Sequence, residues 1–302
     1  MIARLRRQGL RGATLQGLFA HPVLGAFCSL LEAPREADSP PAPIALARGS
    51  QAGRAFVLHA SDGELGAYLP LANALDTEVF GLQAPEVVTA GSLSALAAGY
   101  AAAIGRTQPQ GPSTLIGWSY GAFVAAETAR QLHQAGAQVE LVLIDPVCRA
   151  DFAFSNRATL LRLIANGKVQ VPLPDHLEQL DPDAQLACFA RSAVAAGVLA
   201  VPRDPAQARA WIERIARLLE MLARHPAPEL LQVPCLWLSA TRRPAHWTPA
   251  EHDWSLWAPH AERHTLEADH WQLLMDDGSA RRVAGLIRQW QQRLPCIAEQ
   301  TA

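Results

Sequence analysis

The chain has 302 residues, half of them apolar, with a formal net charge of −2. It is long enough for one large domain, or for a domain and a fragment, and its balanced charge disfavours nucleic acid as a partner. Its five cysteines are scattered and odd in number, which excludes a disulfide framework or a cysteine zinc site and fits a reducing, cytoplasmic compartment, and no apolar run has membrane-spanning length.

Residues 1–34 read as three short helices, at 2–8, 14–19 and 22–31, with no acidic side chain before Glu32. A transit peptide shares that composition, but the segment lacks the apolar core of a secretory signal. Residues 35–52, with Pro34, Pro40, Pro41 and Pro43 in and beside them, read as a proline-stiffened linker. From residue 53 onward strands alternate with helices. Strands are predicted at 54–58, 78–82, 113–116, 138–144, 235–239 and 264–266. Helices are predicted at 68–75, 93–106, 122–135 and 280–293. The unbroken apolar run Leu141-Val142-Leu143-Ile144 suits a strand buried on both faces. This alternation predicts an α/β domain over 53–302, with a mostly parallel sheet between helices. Residues 148–231 interrupt it. They contain no convincing strand and show helical periodicity at 184–198 and 205–224, which predicts an inserted helical subdomain.

The pentapeptide Gly117-Trp118-Ser119-Tyr120-Gly121 stands between a predicted strand and a predicted helix. A serine on so sharp a turn is forced into an unfavourable backbone conformation, with its hydroxyl projecting above the sheet, and the flanking glycines let strand and helix approach. Serine is a poor nucleophile at neutral pH, so it needs a base, and the base needs an orienting carboxylate. In such sheets the active groups sit at the carboxyl ends of strands. Of the ten histidines, His270 directly follows the last predicted strand and comes after Ser119 in chain order. Asp145 ends the strand after the elbow helix. The alternative position for the acid, after strand 235–239, holds Ala240-Thr241-Arg242-Arg243 and no acid. Tyr120 supplies one backbone N–H for an oxyanion, and the loop His59-Ala60-Ser61-Asp62-Gly63 offers a second at Ser61 or Ala60. His59 is read as a structural partner of that loop, and Asp269 as a turn residue. No metal ligand set or bound cofactor is expected.

These motifs together resemble the thioesterase domains of nonribosomal peptide and polyketide synthetases, which are α/β-hydrolases. The resemblance covers residues 56–292. Phe56-Val57-Leu58-His59-Ala60-Ser61-Asp62-Gly63 stands for the family's H-P-x-G-G loop, followed by Tyr68-Leu69-Pro70-Leu71-Ala72 and Val79-Phe80-Gly81-Leu82-Gln83. Leu143-Ile144-Asp145 and Ala268-Asp269-His270-Trp271 match later motifs. Ala60, Asp62 and Ala122 depart from it at loop positions. The resemblance implies Ser119 as the acylated nucleophile, His270 as base, Asp145 as acid, Ser61 as the second oxyanion donor and 148–231 as a helical lid. It also implies that the substrate is an acyl or peptidyl thioester on the phosphopantetheine arm of a carrier domain, with neither nucleic acid nor membrane as partner. Residues 1–34 resemble the second half of such a carrier, whose modified serine would lie upstream of Met1. The function expected is chain release by hydrolysis or macrocyclisation. An editing thioesterase, a general carboxylester hydrolase and an inactive carrier-docking module stand as alternatives.

Overall fold

The computed structural model describes residues 42–85, 87–166, 171–196, 205–226, 229–245 and 247–294. The carrier-like helices expected over 1–34 lie outside them. Seven strands form one sheet: β1 (Ile44–Ala47), β2 (Gln51–Leu58), β3 (Thr77–Leu82), β4 (Ser113–Trp118), β5 (Val139–Ile144), β6 (Cys235–Arg242) and β7 (Glu262–Asp269). Their spatial order is β1-β3-β2-β4-β5-β6-β7. β1 runs antiparallel to β3 and every other pair is parallel. The α/β-hydrolase class expected from the sequence is the class observed. One boundary is corrected: the linker expected through residue 52 gives way at Ile44 to the edge strand β1.

β4 is buried along its whole length, and Leu141 to Ile144 of β5 are all fully buried, as the apolar run required. The connecting helices are α1 (Leu69–Ala74), α2 (Leu93–Thr107), α3 (Gly121–Gln134), α7 (Glu251–Trp257), α8 (Gln272–Met275) and α9 (Asp277–Gln291). Side-chain caps fix the starts of α2 and α9. The side chains of Ser92 and Asp276 accept from the N–H groups of Ala95 and Ser279. α3 packs on β2, β4, β5 and α2, while α9 packs on α1 and α8. Because parallel crossovers are right-handed, the chain's step from β2 back to β3 puts α1 on the face opposite α2 and α3. The strand order therefore reverses direction between β2 and β4, the place where such sheets bind ligands.

α3 is tied to α2 by a buried acid. Glu127 accepts from Ser94 Oγ at 2.7 Å, from Arg130 at 2.7 and 2.8 Å and from Gln131 at 2.7 Å. Burial alone would raise its pKa, but these donors win and hold it at about 2.

A second compact unit contains, among the described residues, 85, 87–89 and most of 149–224. It is helical, with α4 (Arg157–Ile164), α5 (Pro182–Ala195) and α6 (Pro205–Ala223). The helices predicted at 184–198 and 205–224 correspond to α5 and α6, with 197 and 198 outside the described residues. α4 went unpredicted because its eight residues give only two turns of periodicity, although Asn156 caps it by accepting from Thr159 N–H.

Candidate active site

Strand register brings the expected residues to one edge of the sheet. Leu58 of β2 pairs with Gly117 of β4, and Trp118 pairs with Ile144 of β5. The chain therefore leaves three neighbouring strands at His59, Ser119 and Asp145. On the far side Arg242 of β6 pairs with Asp269 of β7, so His270 emerges beside Arg243.

Ser119 has φ 56°, a left-handed conformation that L residues other than glycine rarely adopt. Its N–H donates to Ile144 C=O at 3.1 Å, extending the β4–β5 ladder, and its own C=O accepts from Ala122 N–H at 3.1 Å. The chain thus turns from strand to helix within one residue. The close approach shows in the glycines: a Cβ on Gly117 would lie 2.3 Å from Gly121 O, and one on Gly121 would lie 2.6 Å from Leu58 O.

Asp145 is fully buried and also has positive φ, at 39°. Its two oxygens have separate partners. Oδ1 accepts from Ala240 N–H at 3.0 Å and lies 3.5 Å from Arg243 Nε, and Oδ2 is 2.6 Å from His270 Nδ1. A carboxylate only accepts, so Nδ1 carries the proton and Nε2 of the neutral ring is the basic nitrogen. Burial pushes the His270 pKa below the ordinary imidazole value; Asp145 opposes that shift and Arg243 adds to it. A neutral ring at pH 7 is the state a general base requires.

Three tryptophans surround the His270 ring. Trp118 stacks on it with centroids 4.8 Å apart, and Trp247 and Trp271 meet it edge-on at 4.8 and 5.2 Å. Trp118 Nε1 also donates to His270 C=O at 3.1 Å. The structure thus joins Asp145 and His270 directly, and links Ser119 to them through its chain neighbour Trp118. Asp269, expected as a turn residue, is the last residue of β7 and shapes the turn that follows, its Oδ1 accepting from the N–H groups of Trp271 and Gln272.

Tyr120 stands at the N-cap of α3, at the helix's positive end. Ser61 lies in the turn closed by the Gly63 N–H to Ala60 C=O bond of 2.9 Å, just past β2. His59 supports this loop: its Nδ1 is 2.8 Å from Ala60 O and its ring stacks on Tyr120 at 6.1 Å.

Reading the motifs for chemistry missed Tyr68. Its fully buried hydroxyl accepts from Trp118 N–H at 2.8 Å and donates to Leu58 C=O at 2.7 Å. Burial holds the phenol protonated far above its ordinary pKa, so the donor is retained. One side chain thereby ties the end of β2 to the residue before Ser119. Tyr68→Phe leaves the Trp118 N–H buried without this acceptor, so a loss of about 2 kcal/mol is expected in denaturant titrations, with little change in the rest of the core.

Among the described residues no group of three or more His, Cys, Asp or Glu could hold a metal ion, and no helix is long and apolar enough to cross a membrane.

Residues 54–291 match the family described as Thioesterase domain. The chain is 31% identical over 142 residues to an inactive atromentin synthetase of Paxillus involutus, covering 42% of this chain and 14% of that protein. A four-domain nonribosomal peptide synthetase, solved with AMP and glycine, superposes with a TM-score of 0.72 at 26% identity, over 87% of this chain and 21% of that one. The NocB thioesterase domain, solved as a covalent complex with a fluorophosphonate nocardicin G analog, shares the fold, with a TM-score of 0.58 at 21% identity over 80% of this chain and 96% of that one. The chain therefore spans a small part of the length of its multidomain relatives.

Proposed function

The chain belongs to the thioesterase-domain family, and from that premise we propose that it releases an acyl or peptidyl chain from the phosphopantetheine thioester of a carrier domain. The observation that supports this reading most directly is the 2.6 Å Asp145–His270 bond beside the strained elbow of Ser119.

In this reading Ser119 Oγ attacks the thioester carbonyl as its proton passes to His270 Nε2. Asp145 stabilises the imidazolium. The N–H groups of Tyr120 and Ser61 hold the oxyanion, each donor worth about 3 kcal/mol of transition-state stabilisation. Collapse breaks the C–S bond, and the departing sulfur takes the proton from His270. The Ser119 ester is then opened by water, giving an acid, or by an amine or hydroxyl of the chain itself, giving a ring. A carrier in the same polypeptide, as the multidomain relatives suggest, raises the effective substrate concentration into about the millimolar range, so little affinity for the free acyl chain is needed.

The test is intact-protein mass spectrometry with acyl and peptidyl N-acetylcysteamine thioesters. Wild type is expected to gain an acyl mass, or to release thiol, and Ser119→Ala to do neither; the product mass separates acid from ring. A relative named as inactive gives the docking-module reading its footing. That reading replaces ours if wild type shows no adduct with any thioester and no labelling by a fluorophosphonate.

A further inference from the structure

We infer that Arg243 is a positioning residue of this site, its guanidinium bracing the Asp145 carboxylate that His270 uses and flanking the Trp247 ring that His270 meets. The inference rests on the Ser119, Asp145 and His270 reading above.

β6 ends at Arg242, so Arg243 is the first residue beyond its carboxyl end. This strand end is the alternative position for the acid, and a cation stands there. Its Nη2 donates to Pro146 C=O at 2.7 Å, anchoring it to the chain just past Asp145. Its Nε is buried, makes no hydrogen bond among the described residues, and lies 3.5 Å from Asp145 Oδ1. The contact is therefore one of charge. Its Cζ lies 5.7 Å from the Trp247 ring centroid, and Trp247 meets His270 at 4.8 Å.

This arrangement divides the work of one carboxylate. Oδ1 is held by Ala240 N–H and faces the cation, which leaves Oδ2 for His270. A fully buried anion with one charged partner removed is left uncompensated, and it reorients or recruits water. The charged groups acting on His270 are Asp145, Asp269 and Arg243. The two acids favour the imidazolium, and Arg243 opposes it. Removing Arg243 therefore both loosens the acid and makes the resting ring easier to protonate.

The experiment is the pH profile of kcat/KM on an acyl thioester for wild type, Arg243→Gln and Arg243→Lys, with Ser119→Ala as control. Arg243→Gln is expected to lose about tenfold, mainly in kcat, since small misplacements of catalytic groups carry costs up to about a hundredfold. Its acid limb is expected to move to higher pH. Arg243→Lys restores the charge and brings the limb back, with part of the rate. A wild-type rate and limb in Arg243→Gln overturns the inference. So does an Arg243→Gln enzyme that is slow with its limb unmoved, because a structural role alone would leave the limb where it was. If Arg243→Gln does not fold, Arg243→Met, which is also neutral, is read by the same two outcomes. Turnover persisting in Ser119→Ala would instead defeat the site reading itself.

Discussion

Ser119→Gly is expected to abolish turnover and, at the same time, to stabilise the protein by about 0.5–1 kcal/mol. The left-handed region costs an L residue about 1–2 kcal/mol, and Ser119 occupies it at φ 56°. Glycine has no Cβ to strain there, although the more flexible unfolded chain returns about 0.5–1 kcal/mol of the gain. The backbone bonds that shape the elbow, from Ser119 N–H to Ile144 C=O and from Ala122 N–H to Ser119 C=O, survive the change. Ser119→Ala separates the two effects. It removes the same hydroxyl and, for groups that act as a unit, about 10⁴-fold or more of the rate. It keeps the Cβ and so keeps the strain. Urea titrations of the three proteins, run beside turnover assays, give the comparison. A glycine variant no more stable than the alanine variant would show that the strain is not carried at this residue. The wider meaning is that the elbow holds its serine in a conformation the chain would otherwise avoid, and strain of this kind persists where neighbouring structure over-determines it.

The elbow was legible because its requirements are local. Two glycines and a serine in five residues, between an apolar strand and a helix-forming run, state the strand–turn–helix geometry directly. The expectation for Asp145 and His270 came from another rule: strands in a parallel sheet end on one edge, so a residue that follows a strand is carried to that edge whatever its distance in sequence. The observed register, with Trp118 beside Ile144 and Arg242 beside Asp269, is what makes the rule work. Tyr68 escaped because its hydroxyl acts across 10 and 50 residues, and no pattern in its own neighbourhood marks it as a bridge. Arg243 was seen only as the lack of an acid, since a cation's role there depends on a carboxylate 98 positions earlier. β1 escaped for a third reason. Its four residues follow a proline-rich stretch, and its pairing with β3 rests on backbone bonds that leave little trace in side-chain pattern.

Gly121→Ala is expected to be among the most damaging single-methyl additions in the chain, costing about 3 kcal/mol or more and at least a hundredfold in activity. The new Cβ would lie 2.6 Å from Leu58 O, 2.8 Å from His59 O and 3.0 Å from the Tyr68 hydroxyl. None of these can yield cheaply. Leu58 is paired on both sides, to Leu82 of β3 and Gly117 of β4. His59 N–H is bound to Leu82 C=O at 3.1 Å, and the Tyr68 hydroxyl already makes two hydrogen bonds. The start of α3 must move instead, taking with it Tyr120 and Ser119. Gly105→Ala is the control, because a Cβ there meets nothing within 4 Å. It lies in α2, where alanine is favoured over glycine by about 1 kcal/mol, so that variant should be as stable as wild type or more so. Thermal melts and thioester turnover of both variants measure the contrast. Equal behaviour would mean that β2 and α3 can separate without cost, and that the close approach of the loop after β2 to the elbow is not what shapes this site. A large gap between them would place the requirement in the contact between the two chain segments, since both variants add the same methyl group to a helical glycine.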